Sequence, residues 1–93
     1  MIQSFRCRET EKIFQRKYTK RLPVNLHETA YRKLLILDAA EKLDDLRIPP
    51  GNRLEKLSGE RFAQYSIRIN NRLRICFRWQ TGNAYDVAII DYH

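Results

Sequence analysis

The sequence predicts an α+β fold, with helices in the first half of the chain and strands in the second. Three observations lead there. Apolar residues recur at helical spacing through Leu26, Ala30, Leu34 and Leu37. Apolar and polar residues alternate from Gln64 to Ile69 and again from Leu73 to Trp79. Between the two patterns, Pro49-Pro50-Gly51 stops any helix, because proline lacks an N–H and restricts the residue before it. No repeat, low-complexity stretch or linker interrupts the 93 residues, so positions 1–93 are expected to form one domain.

Taken in order, Ile2 to Arg6 reads as a short first strand. Thr10 then offers an N-cap to a short helix running to about Tyr18, with Lys17, Lys20 and Arg21 suited to a helix C-terminus. After Pro23, Asn25 can cap a second helix with Glu28 at its third position. Its apolar side comprises Ala30, Leu34, Leu37, Ala40 and Leu43, flanked by Leu35, and the pattern runs through Glu41 to end around Leu46. A three-residue turn at Asn70-Asn71-Arg72, with an asparagine in the left-handed conformation, pairs Ile69 with Leu73, Ile67 with Ile75 and Tyr65 with Phe77. A two-residue turn would put the apolar sets on opposite faces, which the period of two disfavours. A last strand, roughly Asn83 to Ile90, follows Thr81-Gly82-Asn83 and sets Tyr85, Val87 and Ile89 opposite Trp79, Phe77 and Ile75, leaving Asp86 and Ile90 with the arginines.

Eighteen Lys and Arg against eleven Asp and Glu leave a net charge of +7. The excess is uneven. Residues 1–24 hold seven basic and two acidic residues, 25–50 hold four and five, and 51–93 hold seven and four. Such a surplus favours polyanions, since each phosphate neutralised releases counterions. The expected turn also sets Arg68 across from Arg74, with Arg78 further along the same face; facing like charges cost several tenths of a kcal/mol, which a polyanion lying across them would relieve. The longest apolar run, Leu34 to Leu37, is far too short to span a membrane, and Met1 to Phe5 lead into charge instead of a signal-peptide stretch. A cytoplasmic protein without membrane contact is expected. Cys7 and Cys76 read as separate packed thiols, His27 as an exposed helix residue, and Phe77 and Trp79 as core. With only His27 and His93 and no Cys-x-x-Cys spacing, no metal or other cofactor is expected.

The closing Asp91-Tyr92-His93 joins an acid, a phenol and an imidazole at the end of the last strand. Together with Pro50-Gly51-Asn52-Arg53-Leu54-Glu55, Ser66-Ile67-Arg68-Ile69-Asn70 and Arg74-Ile75-Cys76-Phe77-Arg78-Trp79, it resembles the HigB branch of the RelE-like bacterial toxins over almost the whole chain. The resemblance implies two N-terminal helices packed on a curved, mainly antiparallel sheet. It also implies cleavage of messenger RNA in the ribosomal (30S) A site without a metal, and neutralisation by a HigA-like antitoxin whose helix-turn-helix binds operator DNA. By the same resemblance Arg74 takes the scissile phosphate, and Asp91, Tyr92 and His93 are the catalytic terminus. At Glu55 some members carry histidine, and at Ser58 some carry lysine.

Metal-free RNA cleavage needs a base for the 2′-OH, a cation at the phosphate and an acid for the leaving 5′ oxygen. His93 is the natural proton carrier, its unperturbed pKa lying closest to neutrality, and Glu55 can share that work. Arg74 supplies the fixed cation, helped by Arg68, Arg53 and Arg78. Tyr92 can stack on a base or bond a phosphate oxygen, whereas Asp91 can orient His93 or cap the strand. The strand period points Tyr92 towards the arginines and Asp91 away, an assignment one bulge would reverse. Two other readings remain: a non-catalytic RNA- or ribosome-binding module using the same arginines, and a co-repressor subunit acting only inside a DNA-bound antitoxin complex.

Overall fold

The computed structural model describes residues 1–57 and 64–91. Helices α1 (Arg8–Phe14) and α2 (His27–Ala39) precede four strands, β1 (Glu55–Lys56), β2 (Gln64–Arg68), β3 (Leu73–Gln80) and β4 (Asn83–Asp91). The strands form one antiparallel sheet in the order β1-β2-β3-β4. Both helices pack on one face of it, around Ile13, Ala30, Leu34, Leu37, Ile67, Ile75, Phe77 and Val87. The expected α+β architecture, two N-terminal helices on an antiparallel sheet, is the architecture found.

The helix ends differ from the sequence reading for identifiable reasons. Helix α1 starts at Arg8, with Cys7 as N-cap, because the Thr10 hydroxyl is used elsewhere: its Oγ1 accepts from the Ile89 N–H at 2.9 Å, tying the helix to the edge strand β4. The helix stops at Phe14, short of Tyr18, because Arg16 adopts a left-handed conformation (φ 59°). The Arg16 N–H donates to the Ile13 carbonyl at 3.0 Å and the Lys17 N–H to that of Lys12 at 2.8 Å, which satisfies the last-turn acceptors. Asn25 does not cap α2; it lies in a short 3₁₀ turn, Val24–Leu26, ahead of it. Glu28 bonds Arg16 and Arg32 instead, at 3.2 and 3.3 Å.

Helix α2 ends at Ala39 because Ala40 turns extended, and Leu43–Arg47 forms a separate 3₁₀ turn. The Asp45 carboxylate accepts from the N–H groups of Glu41 and Lys42, both at 3.0 Å, and so starts that turn. The apolar series therefore divides between two elements, with Ala40 and Leu46 both buried. The first strand is reduced to two isolated parallel bridges, Ile2 with Ala84 and Phe5 with Val87.

In the β2–β3 hairpin the pairs Tyr65–Phe77, Ile67–Ile75 and Arg68–Arg74 match the expected register. The turn mechanism differs: no asparagine there has a positive φ, and the Asn70 carboxamide instead accepts from the N–H groups of Arg72 (2.9 Å) and Leu73 (2.8 Å). The β3–β4 register holds from Leu73–Asp91 to Cys76–Ala88 and then slips by one, so that Arg78 faces Tyr85 and Trp79 faces Ala84. The extra residue is on β4, where Asp86 has φ 54°. Tyr85 therefore leaves the apolar face, contrary to the unbroken alternation, while Val87 remains fully buried.

Candidate active site

The face of the sheet opposite the helices carries three parallel rows across β2, β3 and β4: Arg68–Arg74–Ile90, Ser66–Cys76–Ala88 and Gln64–Arg78–Tyr85. The middle row is small and buried, and the Arg74 side chain lies against its serine.

Arg74 is held from three directions. Its Nε donates to Ser66 Oγ at 2.7 Å, and its Nη2 donates to the carbonyls of Arg53 (2.5 Å) and Ser66 (3.3 Å). Its side chain is only 13% exposed, and Glu55 Oε1 lies 3.8 Å away. A cation so fixed keeps one orientation without paying rotamer entropy when an anion arrives. The Arg53 carbonyl is itself placed by the loop before it. Asn52 is fully buried; its side-chain amide donates to the carbonyls of Leu46 (3.1 Å) and Ile48 (3.3 Å) and its Oδ1 accepts from Lys33 Nζ. Burial holds the Lys33 ammonium below the usual lysine range. Arg53 then turns left-handed (φ 44°) and leads into β1.

Around Arg74 lies an open recess of about 270 Å³ lined by Arg53, Glu55, Arg68, Asn70, Asn71 and Arg74. Arg68 is steadied by the turn: its Nε donates to the Asn70 carbonyl at 3.1 Å and its Nη2 to the Asn71 side chain. Three guanidinium groups against one carboxylate give this recess a cationic surplus of the kind that suits an anion. Four expected site residues, Arg53, Glu55, Arg68 and Arg74, thus meet here.

The other expected residues fall elsewhere. Arg78 stands on the same face in the next long-side-chain row, its Nε bonded to Asp86 Oδ2 at 2.8 Å. Asp91 pairs across from Leu73 and bonds Arg72 at 3.4 Å, on the far side of the sheet from the recess. There it joins Thr10, Ile13, Leu22 and Ile89 in lining a larger cavity of about 370 Å³. That cavity is the roomier of the two, yet the recess has the greater concentration of cations. The β4 bulge lies before the final residues, so the expectation that Asp91 faces away from the arginines holds. Tyr92, His93 and Ser58 lie outside the described residues. Ser66, Asn70, Asn71, Asn52 and Lys33 were not anticipated as supports; Ser66 alone gave a hint, as a polar residue between Tyr65 and Ile67 on the arginine face. His27 is half-buried instead of exposed, its Nε2 2.9 Å from the Leu22 carbonyl.

Residues 3–93 match the family model described as "RelE-like toxin of type II toxin-antitoxin system HigB". The chain belongs to this family. It is 41% identical over 90 residues to Toxin HigB-1 of Vibrio cholerae serotype O1, covering 96% of this chain and 95% of that one. It is 28% identical to Endoribonuclease HigB of Proteus vulgaris over the full length of both. Among solved structures it is similar to a chain of the YoeB dimer from Staphylococcus aureus, with a TM-score of 0.55, 21% identity and coverage of 99% and 94% of the two chains, a likeness of fold. As a member of a type II toxin–antitoxin family, the chain has an antitoxin as its partner.

Proposed function

We propose that residues 1–93 act as one toxin domain, a ribosome-dependent endoribonuclease that cuts translated messenger RNA in the A site and so inhibits translation and growth. The observation that carries this reading is the clamped Arg74 guanidinium, aimed into a recess that also holds Arg53, Arg68 and Glu55. The name of the Proteus vulgaris relative supports the same chemistry.

In this mechanism Arg74 receives the scissile phosphate and stabilises the charge that develops as the 2′ oxygen attacks. Arg68 and Arg53 hold flanking phosphates. Glu55, on the open side of the recess and 62% exposed, is within 3.8 Å of the Arg74 guanidinium and can take the 2′-OH proton. His93 delivers or removes the other proton, Tyr92 stacks on a base, and Asp91 positions the terminus from the opposite side. The chemistry requires no metal. The antitoxin is a HigA-like helix-turn-helix protein, and operator DNA is met only through that complex.

Controlled expression with and without the neighbouring open reading frame, followed by mapping of transcript 5′ ends, tests the proposal. The expected result is growth arrest and new ends within translated codons, both suppressed by the neighbour. Arrest with salt-sensitive ribosome binding but without new ends would leave a non-catalytic binding module. No arrest from the chain alone would favour a co-repressor subunit.

A further inference from the structure

The row Gln64–Arg78–Tyr85 differs in chemistry from the recess. Asp86 balances the charge of Arg78 through the 2.8 Å bond, so this row is close to neutral where the recess is cationic. The Arg78 guanidinium lies over the Tyr85 ring, 5.3 Å from its centroid. Tyr85 reaches this face because of the bulge, which the N-terminal segment pins. The Asp86 N–H donates to Ser4 Oγ at 2.9 Å and the Val87 N–H to the Ser4 carbonyl at 3.1 Å. A non-glycine residue at φ 54° costs free energy, and the bulge brings to this face a half-buried aromatic ring, under a planar cation that the bulge carboxylate bonds.

We propose that Tyr85, with the Arg78 guanidinium held over it, forms a layered stacking platform for a nucleobase of the RNA whose phosphate occupies the Arg74 recess. Arg78 lies four positions along β3 from Arg74, about 13 Å at the usual strand rise, so phosphate and base belong to neighbouring parts of one strand. A neutral, planar surface suits a base and not a phosphate, and Gln64 at the end of the row offers an amide to the base edge. This inference rests on the endoribonuclease reading for its ligand and assigns that ligand a second subsite.

The test uses the full chain and a short single-stranded oligoribonucleotide carrying 2-aminopurine, whose fluorescence falls on stacking. Wild type and Tyr85→Phe should bind and quench alike, because stacking does not need the hydroxyl. Tyr85→Leu, which keeps apolar bulk but has no ring face, should weaken binding by roughly ten-fold and remove the quench. Arg78→Met carries the same expectation and serves if Tyr85→Leu melts at a lower temperature. Equal binding and quench in all variants, a Tyr85→Phe loss as large as that of Tyr85→Leu, or no binding by wild type would each overturn the platform. Transcript mapping on the same variants separates the two readings. Cuts that persist unchanged in Tyr85→Leu, at the same codons, sink the platform and leave the nuclease standing. Oligonucleotide results as expected without cuts from wild type sink the nuclease and leave the platform.

Discussion

The two faces of the β2–β3–β4 sheet are built on different principles. The helix-covered face is regular: Ile67, Ile75, Phe77 and Val87 are 0–1% exposed and share one apolar cluster with the helices. The cationic face is irregular. Its arginines are set by hydrogen bonds to a serine hydroxyl, to backbone carbonyls and to the Asn71 side chain, and one strand bulges to bring Tyr85 among them. The apolar face carries the packing and the cationic face the proposed chemistry, and substitutions should separate them.

The largest effect on folding is expected from Phe77→Ala, which should cost about 3–5 kcal/mol, measured by denaturant unfolding, and remove activity only by unfolding the chain. Arg74→Ala should do the reverse. It should lower the cleavage rate by about a hundred- to a thousand-fold while costing about 1–2 kcal/mol of stability, seen as a small shift in melting temperature. Asn52→Ala lies between the faces. Losing its bonds to Leu46, Ile48 and Lys33 should cost about 1–3 kcal/mol, and the loosened Arg53 carbonyl should lower cleavage as well. Ser66→Ala removes one support of Arg74 and should lower cleavage by about ten-fold with little change in unfolding.

The smallest effect concerns acid pH. The Thr19 hydroxyl holds the Glu9 carboxyl below its ordinary value of 4.5, against a smaller opposing push from burial. A carboxyl lowered by folding contributes stability above its unfolded pKa and loses it as pH falls through the folded one. Thr19→Val should therefore flatten the acid limb of stability against pH and leave cleavage at neutral pH unchanged.

What could be read from the sequence follows the same division. The core face obeys a period of two, so the pairing of Tyr65 with Phe77 and Ile67 with Ile75 was legible. So was the facing of Arg68 and Arg74, and with it half of the recess. The arrival of Arg53 and Glu55 beside them was legible only through resemblance, because a long-range loop closure sets it. The bulge at Asp86 has no signature in an otherwise alternating strand, so Tyr85 was assigned to the wrong face. Thr10 and Asn25 both looked like caps. Thr10 instead satisfies a β4 amide across 79 residues of sequence, and Asn25 gives way to a 3₁₀ turn; tertiary contacts decided both.

The central claim is that Arg74 is held ready for the scissile phosphate. Its most direct test is the single-turnover rate of message cleavage on programmed ribosomes for wild type, Arg74→Lys and Arg74→Ala, with melting curves recorded in parallel. The account predicts folded variants, a partial loss for lysine, which keeps the charge but not the forked clamp on Ser66 and Arg53, and a loss of about a hundred-fold or more for alanine. Cleavage by Arg74→Ala at the wild-type rate would contradict it.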